Sequence, residues 1–290
     1  MYMILVMIRP FVGLAEPISS ISHYLGAFVC MVACVFMLQR ARGNRLRSVA
    51  LLVFSFSTIF LFFMSATYHS LPKGTEMRHM LRVLDHIAIY MMIAGSLTHL
   101  HIILFRGLLR WLPLMIVWAF AAGGFVISAY FLRELPESMT FSFFMVMGLL
   151  SLFTIFKIHH ELGGVYTRDM VVGGICYAIG AIFDFLRWPL IIHGFVAAHE
   201  VFHIMVLLGT FFHWRLAFRI SHIPVSEELE VLVEKRSGML HACFRNEKGE
   251  FHSKDLPSLK RQVKDWVAKH CPAKLRPRKV RFFYLREENL

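Results

Sequence analysis

Seven long apolar runs dominate the hydrophobic pattern of the chain, and short polar connections separate them. Each run is about as long as an α-helix needs to cross a hydrocarbon core of ~30 Å. Helices are expected throughout, because an open strand would leave its backbone unsatisfied in lipid. Since the connections are short, neighbouring helices should pack antiparallel in one bundle. The predicted spans are residues 22–38, 50–68, 84–105, 111–132, 141–158, 171–189 and 198–218.

The pattern changes after Arg219, where charged residues become frequent. LEVLVEK and MLHACF read as two strands around a turn, and KVRFFYL reads as a third. Between them, SLKRQVKDWVAKH brings Leu259, Val263, Trp266 and Val267 to one helical face. The tail is therefore predicted to be a small β-β-α-β domain.

The predicted fold class is an all-α membrane protein, a seven-transmembrane-helix bundle with a small C-terminal α+β soluble domain. We divide the chain into an interfacial N-terminal lead-in (1–21), the seven-helix membrane domain (22–220) and a basic soluble C-terminal domain (221–290). The lead-in is too short and too interrupted, by Arg9 and Pro10, for a signal peptide.

Composition strengthens the membrane interpretation. The chain is 57% hydrophobic and only 17% charged, whereas soluble domains run closer to half apolar and about a quarter charged. Five cysteines, most of them inside apolar runs, do not form a disulfide framework and suit a reducing compartment. We therefore expect a multi-pass protein of the cell membrane.

The net charge of +12 changes the picture of partners and orientation. The basic loops and tail are expected to contact anionic lipid headgroups, and no motif indicates nucleic-acid binding. More Lys and Arg flank the predicted helices on the side of the tail than on the other side. Because cytoplasmic loops collect such residues, the tail is predicted to be cytoplasmic.

Ionisable residues at the ends of three apolar runs are the candidate chemistry, because a charge inside a membrane is costly. His69 ends the second run, Asp85 begins the third, and His199 and His203 begin the seventh. Alternating helix directions bring all four to one side of the membrane. Three neutral imidazoles with an oxygen form a set that Zn²⁺ accepts in a reactive site. Asp85, with Ser65 on the second run, would then hold a metal-bound water.

The other polar residues near the ends of the apolar runs are interpreted as interfacial or structural. A single histidine at a helix end is more often an interfacial or hydrogen-bonded residue than a ligand. Asp184 and Arg187, three residues apart, are interpreted as an ion pair at the membrane boundary. The histidines interpreted as interface residues are His99, His101, His159, His160 and His213.

Five segments carry a family resemblance: AEPISSISHYLGA, SATYHS, LDHIAIY, GGICYAIGAIFD and HEVFHIMVLLGTFFHW. They resemble signature segments of the hemolysin III family, the bacterial branch of the progestin and adipoQ receptor (PAQR) family, over residues 15–218. The resemblance implies an intramembrane zinc held by His69, His199 and His203, with Asp85 acting on the bound water and Ser65 helping to place it. It also implies a zinc near the cytoplasm and an external C-terminus, the reverse of the charge argument. The tail departs from the family's pattern.

These observations favour a zinc-dependent hydrolase of lipid amides such as ceramides, with an acyl-chain ligand between the helices. The PAQR receptors resemble alkaline ceramidases, which suggests this reaction. Three alternatives stay open: a non-catalytic lipid sensor or membrane-homeostasis protein with structural zinc, a cytolytic pore, and an intramembrane protease. The protease interpretation takes HEVFH as H-E-x-x-H with Glu200 as the base.

Overall fold

The computed structural model describes residues 10, 13–131, 137–193, 195–226 and 228–285, with 137–141 described by backbone alone. Much of the predicted lead-in, residues 1–9 and 11–12, lies outside this part of the chain. The first helix begins at Pro17, so residues 17–21 belong to the bundle rather than to the lead-in.

The described residues contain seven helices that are long and apolar enough to cross a membrane, which confirms the predicted bundle. Most extend a few residues beyond the predicted apolar cores, because polar residues continue a helix into the interface. The sixth stops earlier than predicted, since Arg187 adopts a left-handed conformation and Pro189 follows closely. The helices are α1 (Pro17–Ala41), α2 (Arg45–Ser70), α3 (Glu76–Leu104), α4 (Leu108–Phe131), α5 (Glu137–Leu162), α6 (Gly164–Leu186) and α7 (Ala198–Ile220).

The last helix closes the bundle. Helix α7 packs against α6, α1 and α3, while α2 lies between α1 and α3. Small residues allow the closest approach of α6 and α7: a Cβ at Gly209 would lie 2.4 Å from the Tyr177 ring. At the far end of this pair, the buried carboxylate of Asp169 binds Arg215 and Arg219. These contacts hold the second half of α7 against α6.

In the described residues, a four-stranded sheet, one α-helix and a short 3-10 helix (Ala273–Leu275) form the C-terminal domain. The strands are β1 (Glu228–Arg236), β2 (Met239–Phe244), β3 (Glu250–Ser253) and β4 (Lys279–Tyr284), and the helix is α8 (Leu256–His270). The sheet order is β3-β2-β1-β4, with β1 and β4 parallel. The predicted β-β-α-β unit is confirmed, with a further short strand, β3, between β2 and α8.

One buried arginine fastens this domain to the bundle. Arg47, which is 1% exposed, donates to Glu247 at 2.8 Å and to the carbonyl oxygens of Ile223 and Ala41. Gly43 has a φ of 105°, and a Cβ there would lie 2.9 Å from the backbone of Glu247. The domain therefore sits at the α1–α2 loop. We call this end of the bundle the domain end, and the opposite one the histidine end.

Candidate metal centre

Three histidines meet at the histidine end. His69 lies in the last turn of α2, and His199 and His203 lie in the first turns of α7. The Nε2 atom of His199 is 3.2 Å from that of His69 and 3.1 Å from that of His203. One candidate ligand atom from each residue lies within 4.8 Å of the others. The structure thus brings together the three histidines that the sequence singled out.

Two carboxylates fix the tautomers of two of these rings. The Nδ1 of His69 donates to Glu16 at 2.5 Å, and the Nδ1 of His199 donates to Asp184 at 2.9 Å. A ring that carries its proton on Nδ1 presents a lone pair at Nε2. Lone pairs facing each other at about 3 Å repel unless a cation lies between them. The donor set therefore fits a metal ion, and carboxylate–histidine pairs are how proteins orient such ligands.

Glu16 is itself held in place by positive charges. It lies just before α1, where its backbone N–H donates to the carbonyl oxygen of His69, and its carboxylate also binds Arg78 at 2.6 Å and Lys73 at 3.0 Å. Burial alone would raise the pKa of Glu16, but the hydrogen bond and charge of His69, with Lys73 and Arg78, hold that pKa well below its usual range. Glu16 is therefore an ionised acceptor for the His69 ring.

The site is closed on the bundle side and open on one edge. His69 and His203 are 3% and 1% exposed, whereas the His199 side chain is 34% exposed. Asp184 lies at this open edge. Its predicted ion pair with Arg187 is present at 3.6 Å, but its contact with His199 is shorter. A ligand would approach the three nitrogens from the His199 side.

Asp85 and Ser65 lie next to this group. The Asp85 carboxylate lies near enough to the Ser65 hydroxyl and to His199 to interact with both. The set of mutually close ligand atoms in the described residues contains the three histidines, and Asp85 lies outside it. The neighbouring His86 bonds back to the carbonyl oxygen of Arg82 at 2.8 Å.

Glu200 has a structural task. Its carboxylate accepts from the backbone N–H of Ala197 at 2.9 Å and from the Ser19 hydroxyl at 3.3 Å. It therefore caps the first turn of α7 and ties that turn to α1. A carboxylate engaged in this way is poorly placed to serve as the base of an H-E-x-x-H protease.

Several other histidines are buried, contrary to the interfacial interpretation. His99 and His101 are 0% exposed and His213 is 6% exposed, so all three lie inside the bundle. His101 bonds Thr154 and the Leu109 carbonyl oxygen, which satisfies both ring nitrogens. That interpretation was wrong because a helix end can still face the bundle interior. His159 and His160 are not buried, which agrees with the interfacial interpretation.

Sequence reasoning missed three contributors. Glu16 was placed in the lead-in, Asp184 was assigned to Arg187 alone, and His23 was not considered. The His23 ring packs 4.0 Å from the His203 ring in the α1 wall. Asp184 lies in the last turn of α6, at the histidine end. The same alternation of helix directions would therefore have placed it at the end of the bundle that holds His199.

The fold and this cluster define a multi-pass membrane protein with a candidate metal centre inside its helical bundle. A family profile described as "Haemolysin-III related" matches residues 11–214. "Hemolysin-3" of Bacillus cereus is 32% identical over 197 residues, which cover 67% of this chain and 86% of that protein. "Hemolysin-3 homolog" of Bacillus subtilis (strain 168) is 29% identical over 197 residues, 67% of this chain and 89% of that protein.

The chain belongs to the haemolysin III family, as its sequence segments predicted. It is a multi-pass protein of the cell membrane. The family match ends at residue 214, before the C-terminal domain begins.

Proposed function

We propose that this protein is a zinc-dependent hydrolase of lipid amides such as ceramides, working at the histidine end of the bundle. The observation that carries the proposal is the convergence of three imidazole nitrogens, two of which, on His69 and His199, are oriented by Glu16 and Asp184. Three neutral imidazoles with an open position form the ligand set that catalytic zinc sites use. The PAQR resemblance favours the same metal.

Zn²⁺ in such a site supplies a Lewis acid that polarises a carbonyl group and acidifies a water molecule. Asp85 is the general base that takes the proton of the attacking water, since it adjoins the histidines without belonging to their ligand set. Ser65 is a positioning residue, because its hydroxyl lies near enough to the Asp85 carboxylate to orient it. The ion pair with Arg78 keeps Glu16 charged, and Glu16 in turn orients the His69 ring.

The location of the site favours a lipid substrate. The histidines lie where helices α2 and α7 meet the membrane edge, within reach of both a headgroup and an acyl chain. The half-exposed edge at His199 and Asp184 gives the reacting amide a route to the metal. An acyl chain would lie against the apolar helices, and basic loops would contact anionic headgroups.

A second candidate is a structural zinc in a non-catalytic lipid sensor or membrane-homeostasis protein. The near-complete burial of His69 and His203 favours it, because a metal there would tie α2 to α7 whether or not it reacts. This role predicts that zinc removal lowers thermal stability and that purified protein turns over no lipid amide.

The deciding experiment measures fatty-acid release from a ceramide-like amide by purified, zinc-loaded protein, together with zinc content. Wild type should release fatty acid. Asp85→Asn should retain its zinc and lose activity by about 100-fold or more, because a general base contributes that much. Glu200→Gln, the matched carboxylate control, should retain most activity, whereas a protease-type base would make it inactive. Absence of turnover by zinc-loaded wild type would favour the structural role.

A further inference from the structure

The connection between α6 and α7 is an apolar hairpin, defined here as residues 187–193 and 195–197. Five large apolar side chains in it are exposed by between 41% and 62%. Arg187 is the one Asp, Glu, Lys or Arg in this stretch of sequence. Loops that run through water are normally polar, so this composition requires an explanation. The exposed side chains are Trp188, Leu190, Ile191, Ile192 and Phe195.

The hairpin satisfies much of its own backbone. The N–H groups of Ile191 and Ile192 donate to the carbonyl oxygen of Val196 at 3.0 Å each. The N–H groups of Phe195 and Val196 donate back to Ile192 at 3.0 and 2.8 Å. Internal hydrogen bonding of this kind is what a non-helical segment needs before it can leave water.

The apolar surface of the hairpin continues that of α6. Ile182, Phe185 and Leu186, in the last turns of α6, are 48% to 60% exposed and face outward from a membrane-spanning helix. Trp188 follows directly, and its ring packs 5.6 Å from Phe183. Tryptophan is enriched where a membrane protein passes through the lipid interface. Lipid therefore covers the neighbouring surface, and the same lipid is the occupant that the hairpin fits.

The base of the hairpin is the open edge of the metal centre. Asp184 lies three residues before the hairpin and His199 two residues after it, and their side chains touch at 2.9 Å. Whatever seats the hairpin in the membrane therefore also sets the depth of the exposed side of the histidine cluster.

We propose that the apolar hairpin inserts into the lipid leaflet at the histidine end, and that lipid reaches the metal centre sideways along it. Insertion stands on the hairpin alone, whereas lipid entry rests on the proposed function. The hairpin is a membrane-contact and positioning element, and its residues take no part in the chemistry.

Insertion is tested by fluorescence in lipid nanodiscs that contain brominated acyl chains. A bimane probe is placed at Ile191→Cys, on a Cys243→Ser background that removes an exposed native thiol. The control probe is at Pro72→Cys, exposed in the α2–α3 loop at the same end of the bundle. Bromolipid should quench the Ile191 probe several-fold more than the Pro72 probe, and aqueous iodide should do the reverse. Equal bromolipid quenching at both positions would overturn insertion.

Lipid entry is tested with Ile191→Ser combined with Ile192→Ser. Hydrolysis of a long-chain amide embedded in the nanodisc should fall about tenfold in kcat/KM, while hydrolysis of a water-soluble short-chain amide stays unchanged. An equal fall for both amides would overturn sideways entry. Failure of wild type to hydrolyse either amide would refute the hydrolase proposal, and the quenching result would still decide insertion.

Discussion

The two ends of the bundle each bury a carboxylate against an arginine, yet they use the pair differently. At the histidine end, Glu16 binds Arg78 at 2.6 Å and still accepts a hydrogen bond from His69. At the domain end, Glu247 binds Arg47 at 2.8 Å, and Arg47 also donates hydrogen bonds to backbone carbonyl oxygens. One pair aims a candidate metal ligand, and the other closes an interface between two folded parts.

The pKa values of the two carboxylates shift in opposite directions. Positive neighbours hold the pKa of Glu16 below its usual range, whereas burial raises the pKa of Glu247 despite Arg47 and Asn44. A buried ion pair is weak evidence of net stability, because desolvation offsets much of its attraction. What both pairs supply is a defined geometry, so the two ends should respond separately to mutation.

The largest effect is expected from His199→Ala combined with His203→Ala. Purified protein should fall from about one zinc per chain to almost none, because two of three ligands are lost. Zinc is measured by plasma mass spectrometry after dialysis. His213→Asn, on the same helix but outside the cluster, should retain its metal. Unchanged zinc in the double variant would remove the metal centre from the histidine end.

At the domain end, Arg47→Ala should weaken docking of the C-terminal domain by ~3–5 kcal/mol, because Glu247 is left buried without its partner. Protease cleavage near residues 221–227 should accelerate, and zinc content should not change. Arg45→Ala removes an exposed arginine two residues away and should have little effect. Zinc loss in Arg47→Ala would show that the two ends are coupled.

The carboxylate behind His199 should have a smaller, measurable effect. Asp184→Asn should weaken zinc binding by about 10- to 100-fold, because the acceptor that orients the His199 ring loses its negative charge. Competition with a zinc chelator measures the change. Arg187→Gln, which removes a different partner of Asp184, should leave the affinity close to wild type. Equal effects of the two variants would assign Asp184 to a boundary ion pair instead.

The C-terminal domain should fold without the bundle. Its core, in which Leu229, Val231 and Val233 face Leu259 and Val263, is separate from the core of the bundle. Residues 221–290 expressed alone should be soluble and unfold cooperatively, as their strand and helix pattern predicts. The midpoint should lie below that of the domain in the full chain, because Leu275 loses its packing on the bundle. A circular-dichroism melt without a transition would contradict this.

The smallest effect concerns pH at the domain end. Burial, followed by the charge of Arg40, lowers the pKa of His222 to about 4. Since an unfolded histidine titrates near 6.5, its contribution is fully present above about pH 6.5 and is lost as the pH falls towards 4. The loss should stay below ~1 kcal/mol, because the ring is partly exposed. His222→Asn should flatten this part of the stability–pH curve, and an unchanged slope would exclude His222 as its source.

Periodicity and length were enough to predict the seven helices, since a membrane leaves the backbone little choice. Helix direction alone then placed His69, His199 and His203 at one end of the bundle. Successive helices cross the membrane in opposite directions, so the number of crossings determines on which side of the membrane each helix end lies. Glu16 was missed as a partner for a physical reason: a hydrogen bond between residues 53 apart in sequence leaves no local periodic signal. Asp184 was missed because its nearby arginine, Arg187, already explained its charge. Arg47 was equally hidden, because a buried arginine in the first turn of a membrane helix looks in sequence like any flanking basic residue.

The Arg47–Glu247 pair also has a consequence for biosynthesis, because its two partners are synthesised at different times. Its two partners are separated by 200 residues, so at about 5–20 residues per second a ribosome needs about 10–40 s to supply the second after the first. During that interval the guanidinium, in the first turn of α2, must stay hydrated outside the lipid while helices α2 to α7 enter the membrane. The Arg47–Glu247 contact at the domain end can therefore form only after all seven helices have been made.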